Sequence, residues 1–376
     1  MDNKKKADKL YYNQVLLLLL LNRMILGLTY LPELNTPPAN QDIWVMLLLS
    51  IPYTIVFTLP LLYLGNKFSQ YNFFEYIEMI MGKFLGKIIG IFYTIDFLIN
   101  LSFFTSAFVE ILDSSLYDET PTVVNVVILM ITCTYIVYKG IMNLGRLGQF
   151  IVPFIIALYF ILALLGIKNY DFEVFLPILR DSTFKDLNKG AIISSLRYTD
   201  ILILIMMVPY LDEKRNINRI YIRALIYSVL IVIMTVVIVQ ATFGVEYAKI
   251  VNFPYYNFTM LIKIGETQGF DLLYVVSWIM GNVIKISGYF YLTTIAIGKV
   301  VNRRNQIFII PVAIVTTILV VLLKDNRPVI ATRSPIPQVL IPLSAVAIIV
   351  IPLAIVIVYL FRRNKLENMM NSQKRN

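Results

Sequence analysis

The sequence contains no histidine and only one cysteine, Cys133, which lies inside an apolar stretch. Without imidazole groups or a second thiol, the chain cannot use histidine as a general base, build a Cys/His zinc site or form an internal disulfide bond. A glycine-rich phosphate-binding loop is also missing. We therefore expect that the chain is not an enzyme, and no cofactor or metal site is predicted.

Charged residues are scarce too, because they make up 15% of the 376 residues, whereas hydrophobic residues make up 58%. The mean hydropathy is +0.74, and apolar stretches of about 18 or more residues recur along the whole chain. This composition is typical of an all-α polytopic membrane protein. Ten transmembrane helices are predicted, at residues 11–32, 43–63, 87–112, 121–138, 147–167, 190–211, 220–243, 270–298, 306–323 and 339–361.

The lysine and arginine residues lie mostly on one side of these spans. Because the cytosolic loops of membrane proteins carry an excess of basic residues, both termini are predicted to be cytosolic. The formal net charge of +10 then faces the anionic surface of the lipid bilayer, and a nucleic-acid partner is not needed. No signal-peptide cleavage site follows Leu21, so the first span is retained. The chain is predicted to form a single membrane domain, 1–376, that ends in a cytosolic tail, 362–376.

Five ionisable residues lie near the middle of four spans. They are Arg23 in the first span, Asp96 in the third, Arg197 and Asp200 in the sixth and Lys285 in the eighth. An ionised side chain at bilayer depth costs roughly 3 kcal/mol or more, so such residues normally face a bundle interior or an aqueous cavity and have a partner there. These charges are the strongest functional signal in the sequence.

The sixth span, 190–211, has the most polar centre of all. Besides its two charged residues it holds Ser194, Ser195 and Thr199. Such a centre is typical of a transporter helix that unwinds and exposes backbone groups to a ligand. The sixth helix is therefore predicted to be broken between about Ser194 and Thr199.

The other charged spans carry polar or small residues beside their charges. In the third span, Asn100 lies one helical turn from Asp96 and on the same face. In the eighth span, Asn282 and Lys285 share a polar stripe with glycine residues. The first span carries Gly27 in its polar outer half. Each of these positions is a candidate for contact with a ligand.

Structural roles for the same residues stay open. Arg197 and Asp200 are three residues apart and could neutralise each other within their own helix. Asp96 and Lys285 could form an ion pair between helices without any ligand. Arg23 could extend toward an interface, and the glycine residues could serve only close helix packing.

Ten spans with polar breaks in the first and the sixth predict two five-helix repeats, 11–167 and 190–361. In this leucine-transporter-like plan the repeats have inverted topology, and the first and sixth helices are broken. Substrate binds at mid-membrane between helices 1, 3, 6 and 8.

Several segments resemble one family of membrane proteins. They are LGLTYLP at the end of the first span, FFEYIEMIMGKFLGKIIG before and into the third, NFPYYN and IGE before the eighth, WIMGNVIKISGYFY within the eighth, and the RRNK tail. In order and spacing they resemble the B subunit of the spore germinant receptors, the endospore germination permease branch of the amino acid, polyamine and organocation transporter superfamily. Thr199 and Asp200 stand where many relatives have Gly-Glu, and Ile25 stands where several have an extra glycine.

The resemblance implies a nutrient sensor in the inner membrane of a spore. Such a subunit binds a small polar or zwitterionic germinant and acts with an A subunit and a lipoprotein C subunit. The alternative is a secondary transporter that couples amino acid or polyamine uptake to protons through Asp200 or Asp96. Lys285 could then replace a coupling sodium ion. A purely structural scaffold for the other subunits does not account for five central charges.

The predicted ligand site draws on four spans. Asp96 and Lys285 are expected to bind the two charged ends of a zwitterionic germinant, and backbone groups of the broken first and sixth helices complete the site. The residues predicted to bind the ligand are Arg23, Ile25, Gly27, Asp96, Asn100, Arg197, Tyr198, Thr199, Asp200, Asn282 and Lys285.

Overall fold

The computed structural model describes residues 9–116, 119–263, 265, 269–322 and 335–373. In the first half of the chain the helices are α1 (Tyr12–Thr29), α2 (Ile43–Lys67), α3 (Phe73–Met81), α4 (Lys83–Ile111), α5 (Thr122–Lys139) and α6 (Ile141–Leu165). In the second half they are α7 (Phe184–Leu196), α8 (Ile201–Met207), α9 (Ile217–Phe243), α10 (Val245–Ala248), α11 (Pro254–Met260), α12 (Asp271–Val301), α13 (Ile309–Leu322), α14 (Pro335–Ala345) and α15 (Ile351–Gln373).

Ten stretches are long and apolar enough to cross a membrane, which confirms the ten predicted spans. Most of them are single helices. The third span continues α4 through a π-helical turn to Leu116, and the sixth, Phe184–Tyr210, combines α7 and α8. The ninth and tenth are Asn305–Leu322 and Leu340–Asn364. The inverted-repeat relation between residues 11–167 and 190–361 stays a prediction.

Burial separates the central spans from the peripheral ones. Within the apolar window of each span, 83% of the residues are buried in the sixth, 72% in the first and 67% in the eighth, but only 22% in the ninth and 28% in the tenth. The peripheral helices expose large apolar side chains such as Ile310, Ile314 and Leu353. An apolar surface of this kind needs lipid or another apolar surface against it. The first, sixth and eighth spans therefore form the centre of the bundle.

Helix α1 is continuous over all 18 residues, so the prediction of a broken first helix is wrong. The donor groups of its polar side chains find partners without unwinding the helix. Asn22 Nδ2 donates to Leu18 O at 2.9 Å, and Thr29 Oγ1 donates to Ile25 O at 2.6 Å. Bonds to a carbonyl one turn earlier satisfy such groups inside a regular helix. The chain leaves the helix only after Thr29 and then forms a 3-10 turn, Pro32–Asn35.

The sixth span is broken, as predicted, but the break lies slightly later in the sequence. Helix α7 ends at Leu196 and helix α8 begins at Ile201, so residues 197–200 form the break. Ser194 and Ser195 remain helical, and Ser195 Oγ donates to Ile192 O at 2.7 Å. The two serines therefore do not unwind the helix, whereas the two charged residues lie in the unwound segment.

Backbone pairing joins the start of the first span to the end of the sixth. Leu10 N donates to Tyr210 O at 2.8 Å, and Asp212 N donates to Leu10 O at 3.0 Å. Leu10 and Leu211 thus form an isolated parallel β-bridge, and Lys9 Nζ adds an ion pair with Asp212 Oδ1 at 2.7 Å. We call the end of the bundle that holds these residues the basic end, because the lysine-rich and arginine-rich loops lie there.

Candidate ligand site

A buried ion pair connects the break in the sixth span to α1. Arg23 Nε donates to Asp200 Oδ1 at 2.8 Å, and the two side chains are 3% and 4% exposed. The other guanidinium nitrogens of Arg23 approach Ser228 Oγ and Tyr221 OH of α9, both at 3.4 Å. The Arg23 side chain therefore joins three spans.

Two aromatic rings complete the surroundings of Arg23. Its Cζ lies 4.1 Å from the centroid of the Tyr198 ring and 5.7 Å from that of Tyr221, within the range of cation–π attraction. Two of the structural alternatives therefore do not hold. Arg23 points into the bundle and not toward an interface, and Asp200 forms its ion pair with Arg23 and not with Arg197.

Lys285 of α12 is buried without a counter-ion among the described residues. The residue is 2% exposed, and its Nζ atom lies 3.7 Å from the centroid of the Phe104 ring. None of the described ion pairs includes Lys285, so an Asp96–Lys285 pair is not formed. A cation–π contact at a desolvated site contributes about 2 kcal/mol, whereas burying an ion costs several kcal/mol. The cation–π contact therefore does not offset the cost of burial, and the ammonium group has no ion-pair partner among the described residues.

Arg197, at the start of the break, binds the segment that follows α1. Its Nη1 donates to Thr36 Oγ1 at 2.9 Å and lies 3.9 Å from Glu33 Oε1. Glu33 belongs to the 3-10 turn outside the spans and is 2% exposed. Burial raises the pKa of the Glu33 carboxyl, and the nearby Arg197 opposes this shift only in part. These contacts join the start of the break to the segment that follows α1.

Two adjoining cavities lie at the break. The inner cavity, with a volume of about 20 Å³, is lined by Asn22, Arg23, Leu26, Phe104, Arg197, Tyr198, Thr199, Asp200, Lys285 and Tyr289. The second cavity, which we call the vestibule, has a volume of about 70 Å³ and shares Leu26, Phe104, Arg197 and Thr199 with the first. A space of 20 Å³ holds about one water molecule. In this conformation the inner cavity is therefore too small for a ligand much larger than water, and a larger ligand needs lining side chains to move.

The inner cavity carries more positive than negative charge. Its lining includes three basic residues, Arg23, Arg197 and Lys285, and one acidic residue, Asp200. Arg23 and Asp200 neutralise each other and Arg197 has its own acidic neighbour, which leaves the charge of Lys285. Three buried polar atoms of the lining residues, Asp200 Oδ2, Asn22 Oδ1 and Tyr198 OH, have no hydrogen-bond partner among the described residues, and the first two are acceptors only. The cavity thus offers a cation to an anionic group and acceptors to a donor group.

Asp96 of α4 lies outside the lining of both cavities. It is 1% exposed, and its Oδ1 accepts a hydrogen bond from Asn100 Nδ2 at 3.3 Å. Asn100 itself lines the vestibule. The structure therefore brings Lys285 together with Asp200, while a role of Asp96 in ligand binding stays a prediction.

Three other residues of the predicted site occupy packing positions. A Cβ atom at Gly27 would lie 3.3 Å from Val232 Cγ2, so the glycine lets α1 and α9 approach each other. Ile25 packs against Gly281 of α12, where a side chain would overlap it. Asn282 Nδ2 donates to a carbonyl of its own helix at 2.9 Å. Gly27, Ile25 and Asn282 line neither cavity.

Three aromatic residues of the site were not predicted from the sequence. Phe104 lies against Lys285, Tyr221 lies beside Arg23, and the OH group of Tyr289 shares a hydrogen bond with Thr199 Oγ1 at 2.9 Å. Tyr289 is four residues from Lys285, and helical spacing places it on the same polar stripe of the eighth span, but it is not among the residues predicted to bind the ligand. The other two are ordinary aromatic residues of apolar spans, and no pattern in the sequence distinguishes them.

A bundle of ten apolar spans with a broken central helix and buried charges around it is typical of a membrane permease. The chain matches the family described as spore germination protein over residues 9–329 and belongs to that family. The family inferred from the sequence segments is thereby confirmed.

Individual relatives are similar along most of the chain. Spore germination protein A2 of Bacillus subtilis (strain 168) is 26% identical over 275 residues, which cover 70% of this chain and 73% of the relative. Spore germination protein B2 of the same organism is 20% identical over 308 residues, covering 81% and 83%. Spore germination protein XB of Bacillus anthracis is 20% identical over 332 residues, covering 87% and 91%.

Proposed function

We propose that this protein is the nutrient-sensing subunit of a spore germination receptor and that it binds a small zwitterionic, amino acid-like germinant in the inner cavity. The ligand lies between α1, α4, α12 and the break that separates α7 from α8. The observation that carries this proposal is the buried ammonium group of Lys285, which has no counter-ion among the described residues and faces the same cavity as Asp200.

The charge of the cavity supports a ligand with both a carboxylate and an ammonium group. A carboxylate beside Lys285 would supply the missing counter-ion, and charge-assisted hydrogen bonds of this kind are roughly twice as strong as neutral ones. An ammonium group at the other end of the ligand would donate to Asp200 Oδ2 and Asn22 Oδ1, which have no partner among the described residues. Asp200 then binds the positively charged end of the germinant, which the sequence analysis predicts for Asp96.

The small volume of the inner cavity also supports a role as a sensor. The inner cavity has a volume of about 20 Å³, so an amino acid fits only if lining side chains move and the cavity widens. A ligand that binds the open state more tightly than the closed state shifts the population toward the open state. Binding would thereby be reported to the receptor's A subunit and lipoprotein C subunit in the spore inner membrane, where both termini of this chain face the cytosol.

Thermal unfolding of the purified protein with and without candidate germinants tests the ligand class. At a hundred times its dissociation constant, a ligand stabilises the folded state by about 2.7 kcal/mol. Zwitterionic amino acids should raise the melting temperature, whereas their amides, which lack the carboxylate, should not. Lys285→Met should abolish the shift, while Lys185→Met, the same change at an exposed lysine, should keep it. Equal shifts with the amides would contradict the proposal.

Two further measurements separate the sensor from the alternatives. Proton-driven accumulation of a labelled amino acid in vesicles that contain this protein alone would identify a secondary transporter. Co-purification with the A and C subunits from spore membranes supports the receptor role. Isolation of this chain without either subunit, under mild detergent conditions that keep other membrane complexes intact, would contradict the role as a receptor subunit.

A further inference from the structure

A second polar pocket lies at the basic end, at the point where α12 ends. Its volume is about 230 Å³, and none of its lining residues lines the inner cavity. Three of those residues are basic, Lys299, Arg303 and Arg304, and no acidic residue lines the pocket. The pocket lies about 21 Å along α12 from Lys285, at 1.5 Å per residue.

The turn after α12 fixes the backbone of two of these basic residues, Lys299 and Arg303. Asn302 adopts the left-handed conformation with a φ of 56°, and Arg303 N donates to Gly298 O at 2.8 Å. With the bond from Asn302 N to Lys299 O at 3.2 Å, this is a Schellman motif, a well-defined helix end. Glycine at position 298 favours this close approach, because a Cβ atom there would lie only 3.0 Å from Arg303 O.

The cations of this pocket differ in their partners. Lys299 Nζ pairs with Glu75 Oε1 of α3 at 2.5 Å. The guanidinium groups of Arg303 and Arg304 have no hydrogen-bond or ionic partner among the residues that the structure describes. Side-chain amides of Asn72 and Asn305 lie beside them in the lining. The pocket therefore presents two unpaired, planar cations together with neutral hydrogen-bonding groups, which suits a phosphate group.

Apolar side chains begin directly beside the pocket. Ile307, Ile310 and Ile314, which follow it in the sequence at helical spacing, are 60%, 66% and 54% exposed. Together they form a strip that continues away from the pocket along α13. A soluble phosphate compound would not pack against such an apolar strip, whereas the acyl chain of a lipid would.

We propose that this pocket binds the phosphate headgroup of an anionic phospholipid, with an acyl chain of the lipid along α13. Arg303 and Arg304 bind the phosphate oxygens, and the Glu75–Lys299 pair holds α3 against the same headgroup. Basic pockets between membrane helices on the cytosolic side bind anionic lipids in this way. The site is independent of the germinant proposal.

Native mass spectrometry of the full chain in an uncharged detergent measures the proposed affinity. The probes are short-chain phosphatidylglycerol, short-chain phosphatidylcholine and inorganic phosphate. We expect the first phosphatidylglycerol to bind at least tenfold more tightly than phosphatidylcholine. The double variant Arg303→Gln, Arg304→Gln should weaken phosphatidylglycerol binding by about thirtyfold, because each cation near an anionic headgroup contributes roughly a factor of five.

The matched control removes two other cations from the same end of the bundle. Lys83 and Lys87, at the start of α4, are exposed and lie outside the pocket, so Lys83→Gln with Lys87→Gln should change the affinity less than threefold. Arg303→Lys with Arg304→Lys keeps the charges and should stay within about tenfold of wild type. The proposal would be overturned if Arg303→Gln with Arg304→Gln and Lys83→Gln with Lys87→Gln weakened phosphatidylglycerol binding equally. Equal binding of inorganic phosphate and phosphatidylglycerol would also overturn it, as would unchanged lipid affinity with a lower melting temperature, which would indicate a role only in ending the helix.

Discussion

Two buried charge sites line the same cavity and differ in how their charges are compensated. Arg23 has an ion pair with Asp200, two further hydrogen-bond contacts and two aromatic rings. Lys285 has one aromatic ring. A buried charge that is fully paired can fix the arrangement of the elements that carry it, whereas an unpaired one only lowers stability. The first site therefore stabilises one helix arrangement through Asp200 Oδ1, whereas Lys285 and the unpartnered Asp200 Oδ2 are available to a ligand.

The largest expected effect comes from breaking the paired site. Asp200→Asn leaves Arg23 buried without its counter-ion and should lower the free energy of unfolding by about 3–5 kcal/mol. Thermal or denaturant unfolding in an uncharged detergent measures this loss. The double variant Arg23→Gln, Asp200→Asn removes both charges and should lose clearly less than the sum of the two single variants. Strictly additive losses would show that the two residues do not act as a pair.

Removing the unpaired charge of Lys285 should raise the free energy of unfolding instead of lowering it. Lys285→Met replaces a buried ammonium by an apolar side chain of similar length, so the ligand-free protein should be more stable by roughly 1 kcal/mol or more. The same unfolding measurement detects the gain. A loss of several kcal/mol would mean that Lys285 has a compensating partner, and the contrast between the two sites would then be unfounded.

A neutral hydrogen bond at the break gives a smaller effect. Thr199→Val leaves the buried OH group of Tyr289 without its partner and should lower the free energy of unfolding by about 1 kcal/mol. Thr317→Val serves as the control, because Thr317 Oγ1 donates only to a carbonyl of its own helix, at 2.8 Å. If both variants lose the same amount, the Thr199–Tyr289 bond does not contribute to holding the break against α12.

The smallest effect is a pH dependence at Glu33, which lies beside Arg197 at the start of the break. The folded-state pKa of Glu33 is raised above the ordinary value of 4.5 by burial, so above about pH 4.5 the unfolded state loses the Glu33 proton before the folded state does. Glu33 therefore stabilises the fold most at or below pH 4.5, and its contribution falls as the pH rises. The melting temperature of wild type minus that of Glu33→Gln should decrease from pH 4 to pH 7. Parallel profiles for the two proteins would refute this.

Much of the fold follows from the sequence alone. Apolar runs of sufficient length mark all ten spans, and the polar centre of the sixth marks its break. The first span was misjudged because side chains such as Asn22 and Thr29 bond to carbonyls of their own helix. The sequence shows that a polar residue needs a partner, but it does not show whether that partner is one turn away or in a ligand.

The candidate site was harder to predict than the fold. Arg23 and Asp200 are separated by 177 positions, and only the packing of α1 against the break brings them together. Asp96 was chosen as the partner of Lys285 because opposite charges on neighbouring spans attract, yet Asp200 faces the same cavity instead. Spacing within one helix indicates which face a residue lies on, but not which residue of another helix it meets.

The β-bridge between Leu10 and Leu211 gives the basic end a mechanical property. Two backbone hydrogen bonds and the Lys9–Asp212 ion pair join the segment before α1 to the segment after α8. We therefore expect a tilt of α8 to move the first turn of α1 with it. The Arg23–Asp200 pair fastens the same two spans again deeper in the bundle. We therefore expect α1 and α8 to move together, with the unwound residues 197–200 as the hinge between α8 and α7.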